Sequence, residues 1–267
     1  MRTDTDRKAR IAAITIVVLA AAAIFGTATA RLMRPRVEHV ELDPQEYPVR
    51  GMDISAHNGV VDFRRAAADG IGFVFLKITE GETFRDAAFD DNYRMAREAG
   101  LPVGVYHYFR FDSEGWRQAA NMLRTLGDRR VDLPLAVDVE EWGNAPTRST
   151  DEVVEQLRSM VDYLHAWGYR VLLYSNKSGH QRFLRGNFDD GEVWICSFTD
   201  PPLPGGDEWH LWQHSHRGRV DGVPGPTDLN AFRGDSAAYA GAAVLLALGL
   251  GFYALGTAVF SRRDLPL

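Results

Sequence analysis

The stretch Leu133–Glu141, with the sequence LPLAVDVEE, is a short apolar run that ends in three acidic residues. Residues two apart in a β-strand project to the same face, so Asp138 and Glu140 share a face with α-carbons roughly 6.6 Å apart. Val137 and Val139 then face the other side, towards covering helices. The stretch therefore predicts a buried strand that brings two carboxyl groups together at its end.

Short β-rich runs alternate with helical stretches on both sides of this strand, between Gly51 and Asp235. We predict eight strands, at 50–55, 72–79, 102–109, 133–139, 169–175, 192–197, 209–213 and 227–230. Strands that alternate with helices indicate a largely parallel sheet with helices outside. Few helical residues follow Arg185, and the segment is shorter than the roughly 250 residues of a full barrel. We expect an α/β fold, an irregular (β/α)8 TIM-like barrel with some crossover helices missing.

Three helices are predicted from apolar periodicity and end signals, at 87–99, 114–126 and 150–167. The best of them has an apolar stripe formed by Val153, Val154, Leu157, Met160, Val161 and Leu164. Ser149 and Glu152 fit a capping box at its start, and Gly168 fits its end.

Two further acids, Asp53 and Asp228, lie near the ends of other predicted strands. Active sites of such barrels gather at the carboxyl ends of the strands, so we expect all four acids at one rim. Close carboxylates repel, so one should keep its proton at neutral pH and act as a general acid. Paired carboxyl groups are typical of glycoside hydrolysis, while clustered carboxylates also bind Mg²⁺ or Ca²⁺. Glu141, on the opposite face, is expected to be a cap or an ion-pair partner.

Aromatic and amide side chains end three of the same strands. They are Tyr106, His107, Tyr108 and Phe109 on the third strand, Tyr174 on the fifth, and Trp212 and Gln213 on the seventh. Such groups suit sugar rings, which have an apolar face and a hydroxyl edge, although about half should be core residues. Strand alternation separates His107 from Tyr106 and Tyr108, so we interpret His107 as a hydrogen-bonded framework residue.

Composition excludes several other classes of protein. The net charge of −6 carries no dense basic patch, which argues against nucleic acid as a partner. Cys196 is the single cysteine, so no intrachain disulfide forms, and its apolar neighbours predict a buried core residue.

Two uncharged apolar runs flank the middle domain, at 11–30 and 237–260. Each has the length of a membrane span, and arginines lie beside both. We expect two transmembrane helices, with cytoplasmic tails at 1–10 and 261–267, a linker at 31–49 and an extracytoplasmic domain at 50–235. A cleaved signal peptide is the alternative for the first run, and a buried C-terminal helix for the second.

An ordered set of motifs resembles the family 25 glycoside hydrolases, the Chalaropsis-type lysozymes or N-acetylmuramidases. The motifs are Gly51–Ser55, Phe75–Gly81, Gly104–Phe109, Asp138-Val139-Glu140, Trp212-Gln213 and Asp228-Leu229-Asn230, with Asp86, Phe89, Asn92, Ala96 and Gly100 spaced along the helix predicted at 87–99. Where many members carry Trp-Gln after the first strand, this chain has Ala56-His57-Asn58-Gly59, which resembles a subgroup of the family.

The resemblance implies hydrolysis of the β-1,4 bond between N-acetylmuramic acid and N-acetylglucosamine in peptidoglycan, without metal or cofactor. It implies that Glu140 is the general acid, that Asp138 assists it, and that Asp53 and Asp228 complete an acidic floor. Substrate contacts are expected from Tyr106, Tyr108, Tyr174, Trp212, Gln213 and Asn230. A substrate-assisted route through the 2-acetamido group suits the Asp-x-Glu pattern.

Three other functions remain open on the sequence alone. The chain is a non-catalytic peptidoglycan-binding membrane scaffold in the first, and a metal-dependent hydrolase that uses the same carboxylates in the second. In the third it is a mainly structural membrane protein of the division or envelope machinery, with vestigial activity. Absence of cleavage by the folded protein would favour the first, insensitivity to EDTA would remove the second, and normal partner recruitment by a Glu140→Gln variant would favour the third.

Overall fold

A computed structural model describes residues 38–200, 202–203, 208–234 and 239. Within these residues the strands are β1 (Arg50–Ile54), β2 (Ile71–Glu80), β3 (Phe84–Arg85), β4 (Val103–Tyr108), β5 (Leu135–Asp138), β6 (Val171–Asn176), β7 (Glu192–Cys196), β8 (Leu211–Gly218) and β9 (Thr227–Phe232). The helices are α1 (Phe63–Ala68), α2 (Phe89–Glu98), α3 (Gly115–Leu126) and α4 (Thr150–Ala166), with a 3-10 turn at Ala56–Asn58 and short helical segments at Lys177–Gly179 and His180–Leu184.

Eight of these strands close into a barrel in the order β1, β2, β4, β5, β6, β7, β8 and β9, with β9 returning to β1. Neighbouring strands are parallel except at β9, which is antiparallel to both β8 and β1. The predicted α/β barrel and its eight strands are confirmed. The reversal of β9 was not predicted, and it places the start of β9 at the rim where the other strands end.

A continuous apolar layer separates the barrel from its helices. Val137 and Val139 lie in this layer together with Leu157 of α4, as strand alternation predicts. The predicted capping box of α4 is present, because Ser149 Oγ accepts from Glu152 N at 3.3 Å and Glu152 Oε2 accepts from Ser149 N at 2.7 Å. The local signals that define this helix therefore agree with the face that it buries.

Aromatic rings fill the inside of the barrel. The Trp194 ring centroid lies 4.8 Å from those of both Phe75 and Tyr174. Glycine on neighbouring strands makes room for these rings: a Cβ on Gly51 would lie 2.2 Å from the Phe73 ring, and one on Gly104 would lie 2.4 Å from the Phe75 ring. The barrel interior is thus a packed core beneath its open rim.

The second half of the barrel is irregular, as predicted. Within the described residues, no helix lies between β7 and β8 or between β8 and β9. The sequence did not predict α1, β3 or the helical segments 177–184. Each of these is too short for apolar periodicity to develop, so turn chemistry and tertiary contacts decide them.

Residues 38–49, predicted as linker, belong to the folded domain, whose compact unit begins at Glu38. Val40 N donates to His214 O at 2.8 Å, and His216 N donates to Glu38 O at 2.9 Å. Tyr47 is buried against Trp212, with ring centroids 5.7 Å apart. The stretch pairs with β8 near residues 38–40 and turns at residues 44–46 before it enters β1.

The predicted membrane spans at 11–30 and 237–260, and the tails at 1–10 and 261–267, lie outside the described residues apart from Tyr239. Among the residues that the structure does describe, no helix has the length and apolar character needed to cross a bilayer.

Replacing Gly104 with alanine should lower the free energy of unfolding by about 1–3 kcal/mol, because the new methyl group overlaps the Phe75 ring. Gly72→Ala is the matched control, since its Cβ would meet nothing closer than 3.4 Å. Urea unfolding of both variants measures the difference. Equal stability of the two variants would show that the barrel interior accommodates the extra methyl group.

Candidate active site

The four acidic residues converge at the rim formed by the carboxyl ends of the parallel strands. Asp53 of β1 and Asp228 of β9 are register partners, and Asp138 ends β5. Glu140 lies two residues beyond Asp138 and is partly exposed. The charge of Asp53 acts on the other three acids, and that of Glu140 acts on Asp228 and Asp138. The structure therefore brings the predicted acids into one group.

One oxygen of Asp53 is held by two amide side chains. Asp53 Oδ2 accepts from Gln213 Nε2 at 2.9 Å and from Asn230 Nδ2 at 2.8 Å. Trp194 Nε1 in turn donates to Asn230 Oδ1 at 2.9 Å, which fixes the amide so that its nitrogen faces Asp53. These bonds oppose the effect of burial, which raises the pKa of Asp53.

Gln213 is oriented in the same way by two donors. Its Oε1 accepts from Tyr174 OH at 2.7 Å and from His216 Nε2 at 2.9 Å. Because the amide oxygen is occupied by these donors, the amide nitrogen faces Asp53. Gln213, Asn230 and Tyr174 thus lie beside the acids, and their contacts with substrate stay a prediction. Trp194 and His216 join the group although the sequence did not single them out.

Asp53 and Asp228 form a carboxyl pair that shares a proton. Burial, followed by the charges of Asp53 and Glu140, raises the pKa of Asp228 to about 8 from its ordinary value of 3.8. Asp228 therefore carries the proton of the pair at neutral pH and hydrogen-bonds to Asp53.

Asp138 and Glu140 form the second pair. Burial and the neighbouring charge of Glu140 raise the pKa of Asp138 well above its usual range. Burial also raises the pKa of Glu140, while hydrogen bonding to Asp138, Tyr174 and Asn176 lowers it. Within the described part of the chain, Asp138 Oδ1 is buried without a hydrogen-bond partner. Both pKa values are raised overall, which favours the protonated form of the pair, and Glu140 is its more exposed member.

The tyrosines of β4 lie on the inner side of the strand. Tyr106 packs against the inner aromatic cluster, and burial together with the charges of Asp53 and Asp138 raises its pKa well above the usual range. Tyr108 is the register partner of Asp138, and its hydroxyl donates to Trp142 O. Both tyrosines therefore border the carboxyl groups, as predicted.

His107 faces away from the site, as expected of a framework residue. Its ring nitrogens are hydrogen-bonded to Thr79 Oγ1 at 2.8 Å and to Gln118 Oε1 at 3.0 Å. Burial lowers its pKa to about 4, so the ring is neutral at pH 7.

Lys77 is a member of the site that was not identified from the sequence. Its side chain is only 12% exposed, and Nζ lies 2.9 Å from Glu80 Oε2 and 5.2 Å from the centroid of the Tyr108 ring. Its charge lowers the pKa of Asp138 against the effect of burial. Strand alternation from the inward-facing Phe73 and Phe75 was the signal that could have identified it.

Trp212 does not join the site, which corrects the expectation of a substrate contact. The side chain is fully buried outside the barrel, where its ring lies 5.9 Å from that of Trp209 and Nε1 donates to Ser197 O at 2.7 Å. The reason is alternation along β8, because Gln213 faces inward and its neighbour must face outward.

Two other interpretations from the sequence are confirmed. Glu141 is an ion-pair partner of Arg182 and accepts from Ser178 Oγ at 3.2 Å. Cys196 is buried, and burial raises its pKa to about 12, so the thiol is protonated and has the character of a core residue. Across residues 38–200, 202–203, 208–234 and 239, the structure contains no group of three or more His, Cys, Asp or Glu side chains placed to hold a metal ion.

A closed α/β barrel with paired carboxyl groups at its rim is suited to the acid-base chemistry of a glycoside hydrolase. The sequence model of glycosyl hydrolases family 25 matches residues 52–223, more than half of the chain, and the chain belongs to that family. The matched stretch contains Asp53, Asp138 and Glu140. It ends before Asp228, whose place in the group therefore rests on its pairing with Asp53.

Individual relatives agree with this assignment. The chain is 35% identical to the uncharacterised protein YegX of Escherichia coli K12 over 72% of each chain. It is 31% identical to an autolytic lysozyme of Clostridium acetobutylicum over 69% of this chain and 56% of that protein. The structure of a family 25 glycosyl hydrolase from Bacillus anthracis superposes with a TM-score of 0.70 at 28% identity, covering 77% of this chain and 97% of the other.

The shared proton of Asp228 predicts a pH dependence of stability. The folded protein keeps a proton that the unfolded chain releases between about pH 4 and 8, so the free energy of unfolding falls as pH rises through this interval. Asn cannot ionise, so Asp228→Asn should lose less stability than the wild type between pH 5 and pH 8. Urea unfolding at both pH values measures the two slopes.

The matched control for this measurement is Asp151→Asn, at an exposed position in the first turn of α4. This variant should keep the wild-type slope between the two pH values. Identical slopes for wild type and Asp228→Asn would contradict a proton held by Asp228.

Proposed function

We propose that this chain hydrolyses the β-1,4 bond between N-acetylmuramic acid and N-acetylglucosamine in bacterial peptidoglycan. The observation that carries the proposal is the Asp138 and Glu140 pair, two neighbouring carboxyl groups at the rim of a family 25 barrel whose pKa values are raised by burial. The relative named as an autolytic lysozyme supports the same substrate class.

Glu140 is the general acid in this proposal. It is the more exposed carboxyl group of the pair, so it reaches a bound strand while burial favours its protonated form. It donates its proton to the glycosidic oxygen as the bond to the anomeric carbon breaks. It then accepts a proton from the water that completes hydrolysis.

Asp138 orients the 2-acetamido group of the sugar, whose oxygen attacks the anomeric carbon in a substrate-assisted route. The unpartnered Oδ1 of Asp138 supports this role, because a side-chain movement that uncovers this buried oxygen would let it accept from a substrate N–H. Tyr174, which hydrogen-bonds to Glu140 and to Gln213, holds the general acid against the floor formed by Asp53 and its amide partners.

Replacing Glu140 with glutamine should lower the release of reducing ends from purified peptidoglycan by about 10²–10⁴-fold, because the variant cannot donate the proton. The full-length chain, purified in mild detergent, is compared with Glu141→Gln. This matched control removes a neighbouring carboxylate that pairs with Arg182 outside the site, and it should keep activity.

The same assay separates the alternative functions. Products that end in reducing N-acetylmuramic acid, formed equally with and without EDTA, are the expected result. Cleavage that EDTA abolishes would replace the proposal with a metal-dependent hydrolase. Strand binding by folded wild-type protein without any cleavage would replace it with a peptidoglycan-binding scaffold.

We also propose that the apolar runs 11–30 and 237–260 anchor the chain in the bacterial cell membrane, with the enzyme domain on the extracytoplasmic side. Their lack of charge, their length and the flanking Arg262 and Arg263 support this topology. Such an anchor confines hydrolysis to wall close to the membrane.

Membrane anchoring predicts that the full-length chain sediments with membranes and resists extraction by high salt. Protease added outside intact spheroplasts should digest the barrel domain, because that domain faces outward. A domain that is protected until the spheroplasts are lysed would reverse the topology, and active enzyme free in the medium would exclude two retained anchors.

A further inference from the structure

Trp142 is an exposed aromatic residue two positions after Glu140. Its relative exposure is 81%, although tryptophan side chains are highly buried on average in folded proteins. The other exposed tryptophans of the described chain are covered on one face, Trp116 by Arg117 at 5.2 Å and Trp167 by the Tyr163 ring at 6.4 Å. Exposed apolar surface at the edge of a polar site is typical of a binding surface.

The loop that carries Trp142 is held rigidly. Asn144 Nδ2 donates to Glu140 O at 2.8 Å and to Phe109 O at 3.0 Å, while its Oδ1 accepts from Phe111 N at 2.9 Å. Arg110 Nη1 donates to Gly143 O at 2.7 Å. The backbone on both sides of the indole is therefore fixed, which lowers the entropic cost of using the ring as a contact surface.

The loop is also fixed to the site itself. The hydroxyl of Tyr108, whose register partner is Asp138, donates to Trp142 O. The next residue is glycine with φ +74°, and a Cβ there would lie 2.9 Å from the Tyr108 hydroxyl. This close approach ties the position of Trp142 to the strand ends that carry the acids.

On the other side of Tyr108, Lys77 Nζ lies 5.2 Å from the Tyr108 ring and 5.6 Å from that of Phe84, which is 51% exposed. A continuous border beside the carboxyl groups is thus formed by Phe84, Lys77, Tyr108 and Trp142. Its two exposed rings, Phe84 and Trp142, lie at its ends.

We infer that Trp142 is a stacking platform for a sugar of the glycan strand outside the pair joined by the scissile bond. The C–H groups on one face of a pyranose ring are apolar and fit the flat indole, while the hydroxyl and acetamido groups stay in water. This inference rests on the proposed function and extends it, because it assigns a contact that sets affinity for the strand without taking part in bond cleavage.

The test uses the full-length chain in mild detergent and soluble glycan strands freed of their peptide stems by an amidase. Trp142→Ala should raise KM about fivefold, the loss of one aromatic contact, and leave kcat within twofold. Trp142→Tyr should restore most of the affinity, since it returns an aromatic face. Trp167→Ala, at the far end of α4, is the matched control and should leave KM unchanged.

Binding measured by calorimetry in the Glu140→Gln background separates this inference from the proposed function. Weaker strand binding on adding Trp142→Ala supports the platform even if the wild type cleaves nothing. A KM and an affinity that equal those of the Trp167→Ala control would overturn the platform and leave the muramidase proposal in place.

Discussion

The antiparallel strand β9 is the constraint on which the rest of the structure depends. Its pairing with both β1 and β8 closes the barrel, and its reversed direction puts Asp228 opposite Asp53 at the rim where the parallel strands end. A parallel β9 would carry the start of that strand, and Asp228 with it, to the other end of the barrel. The same reversal places Asn230 one inward step below, where its amide holds Asp53. The pairing that closes the barrel therefore also assembles the acidic group.

Closure also sets the electrostatics of the site. Four carboxylates in a partly buried space repel one another. Protonation of some of them relieves this repulsion at a lower cost in free energy than moving the side chains apart. Burial and the neighbouring carboxyl groups raise the pKa values of Asp228 and Asp138, and each hydrogen-bonds to its partner acid, Asp53 or Glu140. The amides of Gln213 and Asn230 and the ammonium group of Lys77 further stabilise the carboxylates, because they add hydrogen-bond donors or positive charge. The site thus costs folding stability, and the rigid aromatic interior beneath it offsets that cost.

Much of this arrangement follows from the sequence, and the exceptions have physical causes. The alternation of side chains along a strand predicted which residues of β4 and β5 face inward. One face of each strand packs in the barrel interior and the other packs against the helices. The same rule, applied to β8, separates Gln213 from Trp212, so the error at Trp212 came from treating adjacent residues as one motif. The direction of β9 was beyond prediction, since apolar patterns carry no sign of strand polarity. Lys77 was missed because alternation along β2, which places it on the inward face with Phe73 and Phe75, was not applied to a charged residue.

Packing of residues 38–49 against the barrel has a consequence for where the enzyme unit begins. The family match starts at residue 52, whereas burial of Tyr47 against Trp209 and Trp212 starts the folding unit earlier. A fragment that begins at residue 52 would leave the Trp209 and Trp212 rings uncovered. Their exposed apolar surface would promote self-association. The first residue of the family match and the first residue of the folded unit therefore differ. Transfer of this barrel into another protein has to include residues 38–49.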